Sequence, residues 1–160
     1  MGMLATMRLA QPSQSGREKQ ASQTPGMCVG SVIHPFHQTR MNHDIKRINT
    51  GPRLSDVSIF NQVAYLAGQV PEATLDQGIQ EQTREVLAII DGLLAQAGSD
   101  KSRILSCQIF LKDIGEIAQM NAVWDQWIPA GHTPSRATVQ APMADAKWRI
   151  EIVLTAALAG

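Results

Sequence analysis

The run Pro134–Leu158, P-S-R-A-T-V-Q-A-P-M-A-D-A-K-W-R-I-E-I-V-L-T-A-A-L, decides the fold. Two stretches in it alternate with period two, the spacing that sends successive side chains to opposite faces of a strand. In the first, Ala137, Val139 and Ala141 take one face and Arg136, Thr138 and Gln140 the other. In the second, Trp148, Ile150, Ile152 and Leu154 oppose Arg149, Glu151 and Val153. Pro142 breaks the pattern between them, so the run predicts two strands joined by a short loop. Each strand then has an apolar face suited to a core and a second face that carries charge. With those faces aligned in one sheet, the Arg136 guanidinium and the Glu151 carboxylate look into the same space. That pair is the expected seat of the chemistry.

Working outward, Pro129 and Gly131 end a helix expected over about Ile114–Ile128. Its apolar stripe is Ile117, Met120, Val123 or Trp124, Trp127 and Ile128, and Asp113 with Glu116 outlines a capping box at its start. Before it, Ile104–Leu111 is apolar at most positions, as expected of a central strand buried on both sides. The clearest helix carries Ile79, Thr83, Val86, Leu87, Ile90, Leu93, Leu94 and Ala97 at helical spacing, with Glu81, Glu85 and Asp91 off the stripe. Gly98 is a suitable stop. Val57–Phe60 and Val63–Ala67 read as a hairpin turning on Asn61-Gln62, with Gly68 ending the second run. Ile45–Ile48 is a short first strand, closed by the turn residues Asn49-Thr50-Gly51-Pro52. The order β-β-β-α-β-α-β-β predicts a two-layer α+β domain, both helices on one face of about six strands. The other face keeps apolar side chains such as Phe110 and Val153, which predicts a homo-oligomer with Arg136 and Glu151 at or near the interface.

Composition bounds the alternatives. The 160 residues suffice for one domain, and 44% apolar with 18% charged residues is ordinary for a globular chain. No apolar run approaches the ~20 residues that cross a bilayer, so no spanning helix is expected; the expected location is the cytoplasm. The formal charge of zero divides unevenly: residues 1–40 hold four basic groups and one acidic, and residues 41–160 hold 10 and 13, a sum of −3. An acidic body offers no electrostatic footprint for nucleic acid. Residues 1–40, rich in Gln, Ser, Gly and Pro, read as a disordered extension ahead of a domain over 41–160, with Met41 as the natural first residue. The scarcity of acidic groups there fits a targeting segment as the alternative. His34 and His37 flank Pro35 without supporting ligands, so no metal site is expected. Cys28 and Cys107 suggest no disulfide framework, and Cys107 reads as a small buried hydrophobe.

On spacing alone, the plainer account of Arg136 and Glu151 is a salt bridge that pins subunits together. His132 reads as a loop residue near the cleft mouth, His43 as exposed near the chain start, and Arg149 as a rim salt-bridge partner. Trp124, Trp127 and Trp148 stand at core positions. No Ser-His-Asp order, phosphate loop or HExxH is present.

The same residues carry a family likeness. With A-G-Q at Ala67–Gln69, M-N-A-V-W at Met120–Trp124, P-S-R-A-T-V from Pro134 and R-I-E-I from Arg149, the chain resembles the RidA/YjgF family of small enamine/imine deaminases. R-L-S-D-V, I-F-L, W-D-Q-W, A-G-H-T-P and R-x-T-V-Q-A make it most similar to the short YoaB-like branch. The resemblance covers about Met41 to Leu158. It implies a chorismate-mutase-like fold with a mixed six-stranded sheet, and a homotrimer with clefts between subunits. It also implies hydrolysis of 2-imino acids to 2-keto acids and ammonia, with no metal or organic cofactor. By the resemblance Arg136 binds the substrate carboxylate, Glu151 positions a water, the backbone of Thr138 helps to polarise it, and Asn121 and Gly68 stand near the cleft. Three positions depart from well-studied members. Thr138 replaces Cys or Ser but keeps a hydroxyl, Leu54 replaces a Tyr at the cleft, and Ala67 replaces a Ser.

The chemistry agrees with those residue types. Arginine meets a planar carboxylate with two parallel hydrogen bonds, which lysine cannot reproduce. A non-catalytic module for small carboxylic acids or partner proteins is the alternative from another class. Ribonuclease or translation-inhibitor activity, a third label of the family, meets the acidic body.

Overall fold

The computed structural model describes residues 44–160, and in it the period-two runs become one six-stranded sheet. The elements are β1 (Lys46–Thr50), β2 (Ser55–Phe60), β3 (Val63–Gln69), α1 (Ile79–Ala97), β4 (Ile104–Leu111), α2 (Ile117–Trp127), β5 (Ser135–Gln140) and β6 (Ile150–Ala157). Short 3-10 turns precede β4 and α2. The strands lie in the order β1-β2-β3-β6-β4-β5, antiparallel except for the parallel pair β4–β5. A mixed sheet with two helices in two α+β layers is therefore the architecture expected above.

Local chemistry explains most of it. Asn61 and Gln62 both take positive φ, 48° and 64°, the backbone of a two-residue turn that matches strand twist. Phe60 and Val63 then pair directly across the hairpin. α1 ends as Gly98 adopts the left-handed conformation, with Gly98 N–H donating to Ala95 and Ser99 N–H to Leu94. Its whole stripe is buried. The stripe lies over β6, β3 and β2 and shares one core cluster with Ile150, Ile152 and Leu154 of β6 and Cys107, Ile109 and Leu111 of β4. Each large side chain so buried stabilises the fold by ~1.5–3 kcal/mol.

Two polar side chains of α1 tie loops to this core. Gln82, fully buried, donates to the Lys147 carbonyl at 2.9 Å and accepts from the Arg149 N–H at 2.8 Å, so it anchors the β5–β6 loop. Glu85 accepts from the N–H groups of Glu72, Ala73 and Thr74 and from the Thr74 hydroxyl. Burial alone would raise its carboxyl, but the Thr74 hydroxyl and the three N–H groups outweigh it and hold the group at about 2, against an ordinary 4.5.

Four expectations change. β4 is buried on one face only, because Cys107, Ile109 and Leu111 meet the helices while Gln108 is exposed on the other side. α2 starts at Ile117 rather than Ile114: Asp113 caps a 3-10 turn through the Gly115 N–H, and Glu116 turns to Arg149 instead of closing a capping box. Gly68 does not end β3, which runs on to Gln69 through a register shift between Leu66 and Gln69. β1 likewise runs through Asn49 and Thr50 before its turn. The 1–40 extension, with Cys28, His34 and His37, and His43 beyond it, lie outside the described residues.

Candidate active site

β4 stands between β5 and β6, and the two ladders fix which way each side chain points. Cys107 pairs with Arg136 on one side and Leu154 on the other, and Ile109 pairs with Thr138 and Ile152. Residues opposite one another in a ladder share a face, so Arg136 and Thr138 lie on the helix-covered face. Phe110 pairs with Val139 and Glu151, which puts these three on the uncovered face. The expected alignment is therefore overturned: within one chain Arg136 and Glu151 occupy opposite faces of the sheet. For β6 the apolar face does build the core. For β5 it does not, and Val139 is left 46% exposed.

Two half-sites result. The first surrounds Arg136 at the sheet edge. Its guanidinium lies 4.9 Å from the centroid of the Trp124 ring, and Nη2 donates to Asn121 Oδ1 at 3.0 Å. Among the described residues no carboxylate comes within ion-pair distance of it. Arg136, Trp124, Asp125, Thr133 and Pro134 line a shallow depression of about 200 Å³. The Thr138 hydroxyl is buried with no hydrogen-bond partner among the described residues. Cys107, across the ladder from Arg136, is buried, and that burial pushes its thiol up to about 12 against the pull of the guanidinium. It is no nucleophile at neutral pH.

The second half-site is Glu151 with Gly68. A Cβ built on Gly68 would come within 2.8 Å of the Glu151 carboxyl carbon and closer still to its Oε1. The missing side chain leaves room for the carboxylate against the strand. Around it the uncovered face carries Tyr65 at 48% exposure, with Phe110, Val139 and Val153. Leu54 stands 58% exposed at the β1–β2 turn, its carbonyl accepting from the Gly51 N–H.

The remaining candidates fall as follows. Arg149 pairs with Glu116 at 3.3 Å, not with Glu151. His132 is exposed in the turn before β5, its N–H on the Pro129 carbonyl. Trp124 is a core residue, Trp127 packs at the core's margin, and Trp148 is half-buried in the loop before β6. Sequence reasoning missed the stacking of Arg136 on Trp124. The one signal for it was that both Val123 and Trp124 fit the α2 stripe, and both are buried. Among the described residues no three His, Cys, Asp or Glu side chains gather as a metal site, and no helix is long and apolar enough to cross a membrane.

The family model described as Endoribonuclease L-PSP matches residues 45–158. A RutC family protein of Haemophilus influenzae is 55% identical over 112 residues, covering 70% of this chain and 97% of the relative. The RutC family protein YoaB of Escherichia coli K12 is 47% identical over 114 residues, covering 71% and 98%. Among solved structures, NMB1025 of Neisseria meningitidis, a member of the YjgF protein family, superimposes with a TM-score of 0.71 at 45% identity, covering 74% of this chain and 98% of that one.

Proposed function

The chain belongs to the YjgF/RidA family of Endoribonuclease L-PSP proteins, close to its YoaB-like members, and from that premise we propose that it hydrolyses 2-imino acids to 2-keto acids and ammonia. Membership supports a small-molecule deaminase or regulatory role. The reaction is our reading of the two half-sites.

The observation that carries it is Arg136, a charged group pre-aimed by a ring and a neutral amide and unspent on any carboxylate of the described residues. A guanidinium so held binds the planar carboxylate of a 2-imino acid and fixes the neighbouring C=N carbon. Glu151 then takes a proton from a water as its oxygen bonds to that carbon, with the backbone of Thr138 polarising the water. That proton passes to nitrogen as the C=N π bond opens to a carbinolamine; the carbinolamine hydroxyl then gives its own proton to nitrogen by way of Glu151 as the C–N bond breaks, releasing ammonia and leaving the C=O of a 2-keto acid. Because Arg136 and Glu151 face opposite sides of one sheet, one site draws on two copies: Arg136, Thr138 and Asn121 from one, Glu151, Gly68 and Leu54 from its neighbour. A homotrimer with clefts between subunits provides such sites, and it covers the apolar face around Tyr65, Phe110 and Val153.

A second reading, a module that binds small carboxylic acids without turning them over, is favoured by the separation of the pair within one chain. The ribonuclease label is not carried over, because residues 44–160 hold 10 basic and 13 acidic groups and make a poor surface for a phosphate backbone. A coupled assay decides. An amino-acid oxidase generates the imine, and semicarbazide competes to trap it. The chain is expected to suppress the semicarbazone and Arg136→Ala to lose that effect. No suppression across several imines would leave only the binding reading.

A further inference from the structure

We infer that Trp124 is the positioning residue for Arg136, setting the plane in which the guanidinium meets a carboxylate; this rests on the reading of Arg136 as the carboxylate holder. An arginine on an exposed edge strand samples many rotamers, and losing that freedom on binding opposes affinity. Here the guanidinium lies 4.9 Å from the Trp124 ring centroid, and the indole beneath it is only 3% exposed. The ring is backed in turn. Trp127 packs on it with centroids 5.3 Å apart and planes inclined at 56°. Trp127 Nε1 donates to Asp91 at 2.9 Å, and Lys101 Nζ sits 5.3 Å from the centre of the Trp127 ring while bridging to Asp91 at 3.5 Å.

A buttress therefore runs from Asp91 on α1 and Lys101 through two indoles to Arg136. Its geometry suits carboxylate binding. A contact between the cation and the ring's π face takes up none of the five N–H donors as a hydrogen bond to an acceptor atom. Asn121 takes one, from Nη2, which leaves a two-pronged edge for an incoming acid. Tryptophan offers a cation the strongest aromatic face, so phenylalanine would hold the arginine less firmly and leucine not at all.

Kinetics and spectroscopy on the full chain test this. In the coupled assay, Trp124→Leu is expected to raise KM about 3- to 30-fold with kcat little changed, and Trp124→Phe to fall between it and wild type. For the spectroscopy, the chain labelled with 5-fluorotryptophan gives one ¹⁹F line for each of its three tryptophans. The Trp124 line, assigned by its loss in Trp124→Phe, should move on titration with pyruvate in wild type and stay still in Arg136→Ala. That measurement decides the matter even if Trp124→Leu does not fold. A folded Trp124→Leu with wild-type KM overturns the inference alone, as does an unmoved line in a chain whose Arg136-dependent turnover is intact. A wild type that neither binds pyruvate nor hydrolyses imines overturns the reading of Arg136 itself, and this inference with it.

Discussion

The Glu151 carboxylate occupies the space that a side chain at position 68 would need. Gly68→Ala should therefore push the carboxylate aside without harming the fold, because the colliding atoms are the free end of a flexible side chain. In the coupled assay kcat should fall for Gly68→Ala and for Glu151→Gln alike, by ~10²- to 10⁴-fold, the usual loss when a general base is displaced or removed. The double variant should be no slower than Glu151→Gln, since both substitutions disable one function. Pyruvate affinity should survive in all three. Equal turnover in wild type and Glu151→Gln would remove Glu151 from the mechanism.

Among the elements, α1 carries the two polar anchors. Gln82→Leu leaves the Lys147 carbonyl and the Arg149 N–H without their partner, and thermal unfolding should record a loss of about 2–4 kcal/mol. Glu85 makes stability depend on acid. Its folded pKa of about 2 lies below the ordinary 4.5, so its contribution is complete above 4.5 and is lost as pH falls from there through about 2. Chemical denaturation should find Glu85→Gln less stable than wild type at neutral pH, and its stability flatter across that window. Neither anchor was legible beforehand: Glu85 lies off the apolar stripe and Gln82 is polar, so only the loops folding back give them a purpose. What was legible obeys local rules. The α1 stripe with its Gly98 stop, the Asn61-Gln62 turn and the six strands follow from period and turn chemistry. The facing of β5 does not, because an edge strand takes its face from a partner in another part of the chain, here a parallel ladder with β4 reached through α2. Period two divided its side chains correctly, but the apolar set Ala137, Val139 and Ala141 was expected at the core, and it is Arg136 and Thr138 that face the helices. The burial of β4 failed for a related reason: Phe110 is apolar, but no layer of the described residues covers that side.

For the whole molecule, light scattering should give three times the 17.4 kDa chain mass. Val139→Lys, which puts a charge on the uncovered face, should lower that mass and abolish turnover while helix content is kept. Complementation is sharper. Arg136→Ala and Glu151→Gln are each expected to be inactive, yet trimers reassembled from an equal mixture should recover about a quarter of wild-type activity, the chance that one cleft draws both intact residues from neighbours. No recovery would mean that both residues of a site come from one chain. The strand order has a last consequence. With β4 between β5 and β6, an isolated chain holds Arg136 and Glu151, the proposed carboxylate holder and water base, on opposite sides of a wall. If the proposed trimer forms, dilution that dissolves it should extinguish turnover without unfolding anything, and specific activity should become a gauge of how much of the protein is present.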